Sequence, residues 1–151
     1  MDLSQLLAPA LCFTRIEGRS QKRIFEIIAN KISENLDGLS YAEIFDALNA
    51  RERLGSTALG EGVAIPHCRI SYEGPGVAAA VTLDEPIDFD APDQKPVDLL
   101  VFLLVSGDAN QAHLDSLASL ARVLSDETNR KTLRSAKDGF ELYTTLNSKI
   151  S

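Results

Sequence analysis

The sequence predicts an α/β (α+β) fold in a single domain spanning residues 1–151, a mixed parallel and antiparallel sheet with helices on both faces. Three observations carry that prediction. Apolar residues recur at helical spacing at Ile24, Ile27, Ile28 and Ile32, and again at Leu114, Leu117, Ala121 and Leu124. Between these segments lies the most apolar run of the chain, "VDLLVFLLV" from Val97 to Val105; it contains Asp98 and is too short to cross a bilayer, so it reads as a buried central strand. The connection from Leu83 to Val97 is too short for a helical crossover, so part of the sheet is antiparallel.

Each element has a local signature. "LCFTRI" (Leu11 to Ile16) is a short strand that ends at Glu17-Gly18, and Ser20 caps the first helix. Gly38 separates it from the next helix, which opens on the capping box Ser40-Tyr41-Ala42-Glu43 and buries Tyr41, Ile44, Phe45 and Leu48 before Gly55 stops it. Three residues beyond Leu48 the same face carries Arg51, a permanent cation on a buried stripe that wants an anion nearby. A strand runs from Val63 towards His67, and "GVAAAVTL" (Gly76 to Leu83) and the Val97 run follow. The loop between these last two, "DEPIDFDAPDQKP", is acidic and punctuated by proline. A helix begins near His113, and Asp126 and Asp138 cap two more segments, the second supported by Glu141 and by Phe140, Tyr143, Leu146 and Ile150.

Composition excludes several classes of function. With 44% hydrophobic residues, 25% charged residues and a formal net charge of -7, the chain is an ordinary globular one and a poor candidate for neutralising nucleic-acid phosphates. It suits a basic partner surface instead. Cys12 and Cys68 form no disulfide framework, and with no signal peptide the expected compartment is the cytoplasm, without membrane insertion. No metal-ligand spacing accompanies the cysteines or histidines, so neither a metal nor a cofactor is expected.

The chemistry concentrates in "GSTALGEGVAIPHCRI", Gly55 to Ile70. Pro66 lacks an N–H and interrupts ladder pairing just before His67, which suits a ring presented at the edge of a sheet. Gly55, Gly60 and Gly62 let backbone amides approach an anion, and Ser56 and Thr57 add hydroxyl donors, so the segment reads as a phosphoryl-binding loop. Neutral imidazole is a nucleophile near neutral pH. Glu61, six residues upstream, is a candidate to orient it, with a solvated loop carboxylate as the competing reading. Arg51 offers a bidentate fork to a phosphoryl group or is simply a cation at a helix C-terminus, and His113 is either a second imidazole at a helix N-terminus or an exposed first-turn residue. A hydrolase built on Ser56 or Cys68 ranks lower, for no G-x-S-x-G elbow is present.

"RERLGSTALGEGVAIPHCRI" resembles the active-site signature of the IIA domains of the bacterial phosphotransferase system, of the fructose, mannitol and nitrogen-regulatory type. The likeness extends through "SQKRIFEIIANKI", "PIDFDAPDQKPVDLLVFLLV" and "HLDSLASLARVL", and "AIPHCRI" looks most like the nitrogen-regulatory branch. The resemblance implies the mannitol/fructose-type IIA fold and a phosphotransferase-type activity, with His67 as the phosphoryl acceptor and Arg51, Glu61 and His113 in support. It implies a histidine-containing phosphocarrier protein as donor and phosphorylation-dependent binding of regulated targets such as transporters, kinases or metabolic enzymes. The alternatives are a sugar-uptake component that passes the group to a IIB domain, or a regulatory binding module without onward transfer.

Overall fold

The computed structural model describes residues 3–72, 74, 76–107 and 111–150, the side chains of 111–113 excepted. Its organising element is the apolar run singled out above, which forms β6 (Val97–Ser106) at the centre of the sheet. Successive side chains of a strand point to opposite faces, and β6 obeys this from Leu99 to Val105. Leu100, Phe102 and Leu104 enter one core cluster, whereas Leu99, Val101, Leu103 and Val105 enter the other.

On one side β6 pairs antiparallel with β5 (Val77–Ile87), from Val77 opposite Leu104 to Thr82 opposite Leu99, and β5 pairs parallel with the edge strand β1 (Leu7–Ile16). On the other side β6 pairs parallel with two short strands in succession, β3 (Val63–Ala64) against Leu99 and Leu100 and β4 (His67–Ile70) against Leu103 to Ser106. A three-residue strand, β2 (Ala58–Gly60), closes that edge as a hairpin with β3. The sheet is therefore mixed, as the short Leu83–Val97 connection requires.

The first core cluster lies under α1 (Gln21–Asn35) and α2 (Tyr41–Glu52), which contribute Ile24, Phe25, Ile28, Ile32, Ile44 and Leu48. The second lies under α3 (Gln111–Ser125), α4 (Glu127–Arg134) and α5 (Gly139–Ile150), through Leu120, Leu124, Leu133, Leu142 and Leu146. Gly139 lets α5 sit directly on β1, where any Cβ would run into the Cys12 carbonyl oxygen.

Three local expectations change. The first strand begins at Leu7 rather than Leu11; as an edge strand with an irregular register between Leu7 and Cys12 it accommodates Pro9, which has no N–H to donate. The capping box closes only by half. Ser40 Oγ accepts the Glu43 N–H at 3.1 Å, but the Glu43 carboxylate accepts the Ser71 N–H at 2.9 Å and ties α2 to the end of β4. The strand read from Val63 towards His67 breaks at Ile65-Pro66, as the proline leads one to expect, but the ladder does not end there: it resumes at His67 against the same β6.

Candidate functional site

The interruption at Ile65-Pro66 gives His67 its surroundings. Pro66 still supplies its carbonyl to β6, accepting the Leu103 N–H at 2.9 Å, but Ile65 turns its N–H away from β6 to the Thr57 carbonyl at 3.1 Å. The Ile65 carbonyl then lies 2.7 Å from His67 Nδ1. A carbonyl only accepts, so Nδ1 carries the proton and donates. Burial pushes the imidazole pKa below its ordinary value; the Ile65 hydrogen bond pulls it back up and the nearby Arg51 cation pushes it down again, for a net lowering. The ring is thus neutral at pH 7, protonated on Nδ1, with its lone pair on Nε2.

Arg51 reaches the same place from the last turn of α2, on the face that buries Ile44 and Leu48. Its Nη1 donates to the Gly55 carbonyl at 2.8 Å. Arg51 and His67 together separate two adjoining depressions. One, of about 420 Å³, is bounded by Ala47, Ala50, Leu54, Cys68 and Arg69. The other, of about 360 Å³, is bounded by the Ser56–Leu59 loop and, on α3, by Leu117, Ala118 and Ala121. Arg69, two residues along β4 from His67 and therefore on the same face, donates from Nη1 to the Gly107 carbonyl at 2.8 Å. An imidazole lone pair flanked by guanidinium groups in a mostly apolar recess suits attack on a phosphoryl group.

The remaining expected site residues distribute differently. Ser56 and Thr57 do border the histidine, but the single proton of each hydroxyl is already committed. Ser56 Oγ donates to the Phe89 carbonyl at 2.7 Å, and Thr57 Oγ1 donates to the Glu52 carboxylate. They hold the loop in place and leave no O–H for a phosphoryl oxygen. Gly60 and Gly62 lie at the tip of the β2–β3 hairpin, where Gly60, Glu61 and Gly62 have φ of 95°, 57° and 78°. Three consecutive left-handed residues explain the glycines as turn chemistry rather than an anion cradle.

Glu61 is a further correction. Val63 pairs with Leu99 and His67 with Leu103, so the hairpin end lies about 13 Å or more along β6 from the imidazole, at 3.3 Å per residue. The Glu61 carboxylate is 60% exposed and pairs with Lys95 Nζ at 3.4 Å. Its backbone is held by Asp93, which accepts the Glu61 N–H at 2.8 Å, and by Arg134, whose Nη2 donates to the Glu61 carbonyl at 2.7 Å. His113 falls in the first turn of α3, but its side chain lies outside the described residues.

Sequence reasoning missed Glu52, the last residue of α2. Its carboxylate accepts the Thr57 hydroxyl, the Thr57 N–H at 3.3 Å and Gln21 Nε2 at 3.3 Å. Burial pushes its pKa up, against the opposing pull of the Thr57 hydrogen bonds, the Arg51 charge and Gln21. The one signal available was its place next to Arg51 in "RER". The cysteines are fillers: burial raises the Cys12 thiol to about 11 and, with Glu43 adding to it, the Cys68 thiol to about 12. Neither is a thiolate nucleophile at neutral pH, which removes the Cys68 hydrolase. Among the described residues no group of three or more His, Cys, Asp or Glu side chains is arranged to hold a metal ion, and no helix is long and apolar enough to cross a membrane.

The lowered pKa of His67 makes a pH prediction. The unfolded ring titrates near 6.5 and the folded ring below it, so between the two values the unfolded state binds the extra proton and stability falls as pH falls. The urea midpoint of this protein relative to that of His67→Gln should be constant above pH 6.5, fall as the pH is lowered from there, and level off below the folded value. A His67 ring that titrates at or above 6.5 by NMR would contradict this.

Comparison with known proteins places the arrangement in a group. Residues 5–149 match the family described as "Phosphoenolpyruvate-dependent sugar phosphotransferase system, EIIA 2". A nitrogen regulatory protein of Pseudomonas aeruginosa is 44% identical over 141 residues, covering 93% of this chain and 92% of that one. The crystal structure of nitrogen regulatory protein IIA-Ntr from Neisseria meningitidis superposes with a TM-score of 0.89 at 38% identity, over 95% of this chain and 98% of that one. IIA mannitol from Escherichia coli shares the fold, with a TM-score of 0.73 at 18% identity over 92% of this chain and 97% of that one.

Proposed function

Because the chain belongs to the EIIA 2 family of the phosphoenolpyruvate-dependent sugar phosphotransferase system, we propose that it is a phosphoryl carrier of the nitrogen-regulatory kind, with His67 Nε2 as the acceptor atom. The single observation that carries the reading is the 2.7 Å contact between His67 Nδ1 and the Ile65 carbonyl, which leaves the lone pair on Nε2 beside Arg51.

The transfer is a displacement at phosphorus. The Nε2 lone pair forms the new N–P bond; the bond to the donor's imidazole, which carries a proton on its other nitrogen, breaks, and the electron pair returns to the donor nitrogen, so that the donor ring leaves as neutral imidazole. Positive charge develops on the His67 ring as the bond forms. The Nδ1–H···O=C bond to Ile65 then becomes charge-assisted and strengthens when it is most useful. Arg51 has N–H groups besides the one on Gly55 with which to meet the phosphoryl oxygens. The step relies on positioning and electrostatics, so a stoichiometric carrier needs little more machinery.

The donor in this reading is a histidine-containing phosphocarrier protein, and the rim of the site fits a protein partner. Leu54 is 84% exposed and Leu59 46% exposed, and each borders one of the two depressions beside His67. Leu114 is exposed on the first turn of α3. Exposed apolar side chains grouped around a reactive atom mark a docking surface. A phosphoryl group brings about -1.5 to -2 charges into that rim and changes which partners fit it, which is how a carrier becomes a signal.

The test is to incubate the folded protein with phosphoenolpyruvate and the general phosphotransferase donor proteins and to follow intact mass. The expected product carries one acid-labile phosphoryl group whose ring-nitrogen NMR shifts place it on Nε2. Absence of uptake would overturn the carrier reading, and a group on Nδ1 would overturn the assigned atom. Capturing partners with the modified and the unmodified protein then tests signalling: identical partner sets would sink it.

A further inference from the structure

We propose that Glu52 is a positioning residue for His67, fixing the imidazole in its Nδ1–H form through a chain of hydrogen bonds that passes by Thr57 and Ile65. The carboxylate that sequence reasoning sought in Glu61 is supplied from the end of α2, two residues removed from the ring. Glu52 accepts the Thr57 N–H at 3.3 Å and the Thr57 hydroxyl; Thr57 accepts the Ile65 N–H at 3.1 Å on its carbonyl; Ile65 accepts His67 Nδ1–H at 2.7 Å on its own.

Two features make this chain more than a run of adjacent bonds. The orientation of the ring depends on a neutral carbonyl, so the tautomer is set by where that carbonyl points rather than by a charge beside the ring. Ile65 also lies in the gap between β3 and β4, outside the paired residues of both strands, and its N–H is spent on Thr57 instead of the sheet. What aims the Ile65 carbonyl is therefore its attachment to Thr57. Thr57 in turn is buried, and both its amide and its hydroxyl end on Glu52. Removing the carboxylate would strand two buried donors, and Thr57 would shift to satisfy them. Ile65 would follow it, and the ring would lose its acceptor.

The proposal rests on His67 being the acceptor only in its kinetic arm. The ring nitrogens report the tautomer whether or not any phosphoryl group is transferred, so failure of the carrier reading and failure of this one are separable. The experiment compares Glu52→Ala and Glu52→Gln with the native protein, by ring-nitrogen NMR of His67 and by the rate of phosphoryl uptake. In Glu52→Ala the Nδ1–H form should give way to a mixture of tautomers, and uptake should slow about tenfold, the scale on which outer hydrogen-bond partners of a functional imidazole act. Glu52→Gln keeps an acceptor oxygen for Thr57 and should restore the native tautomer and a rate within about twofold of native. If Glu52→Ala does not fold, Glu52→Asp is read in its place, with the carboxylate drawn back by one methylene. An unchanged His67 tautomer in the folded variant overturns the proposal, even if uptake slows, because the carboxylate would then act by another route.

Discussion

Replacing His67 by alanine is expected to abolish phosphoryl uptake completely while leaving the sheet assembled. The loss is total because no other described side chain offers a comparable nucleophile at this place: the Cys68 thiol is held near 12, and the hydroxyl protons of Ser56 and Thr57 are bound to Phe89 and Glu52. The fold survives because the ring is only half-buried and its hydrogen bond to the Ile65 carbonyl contributes about 1 kcal/mol. Arg51→Ala serves as the contrasting case. It removes a donor for the phosphoryl oxygens but not the attacking atom, so uptake should slow by about a hundredfold and still occur. Intact mass after exposure to the donor system, with circular dichroism as the control for folding, separates the two. An acid-labile group retained by folded His67→Ala would move the acceptor elsewhere.

Phe25→Ala is the substitution expected to unfold the protein most readily. Phe25 is fully buried on α1 and makes edge-on contacts with Phe89 at 6.0 Å and Phe102 at 5.8 Å between ring centroids. Truncation removes the ring from both partners and opens a cavity between helix and sheet, a loss of about 3–5 kcal/mol. Urea denaturation should show a lower midpoint with an unchanged slope. Phe140, 65% exposed at the start of α5, is the control, and its alanine variant should fall within about 0.5 kcal/mol of native. The effect reaches the site as well. The Phe89 carbonyl accepts the Ser56 hydroxyl, so a Phe89 ring that settles into the cavity draws the loop beside His67 with it. A midpoint close to native would show that the neighbouring rings collapse onto the vacated space at little cost.

What the sequence made legible was local. Ser40, Asp126 and Asp138 each cap the helix they precede, through the N–H of Glu43, Asn129 and Glu141, because a cap is written within four residues. The buried central strand β6 and the antiparallel β5–β6 pair were likewise legible, from an apolar run too short to span a bilayer and from the length of a loop. Partners distant in sequence were not legible. Glu43 serves Ser71, Glu61 is tied to Asp93, Lys95 and Arg134, and Ser56 bonds to Phe89. Nothing in "GEGVAIPH" says that its glycines turn a hairpin rather than line a pocket, because a left-handed turn and an anion nest ask for the same residue. Glu61 was the nearer carboxylate along the chain to His67, whereas Glu52 is the one that the fold connects to it. Pro66 was read as ending a strand, and it does break one, but the parallel partner β6 lets pairing restart at the next residue.

The order of the strands also governs when the molecule can form. β1 waits for β5, and β4 waits for β6, so each of these early strands finds its neighbour only after a long stretch of later chain has been made. A nascent polypeptide that has not yet reached Val97 can wind α1 and α2 and close the β2–β3 hairpin, but the backbone after Pro66 has no ladder to join. Such distant pairings delay assembly and leave apolar edges open in the interval. The histidine takes its place beside the carbonyl that orients it only when β6 arrives to pair with β4, which makes the reactive centre a late product of synthesis, completed together with the sheet rather than before it.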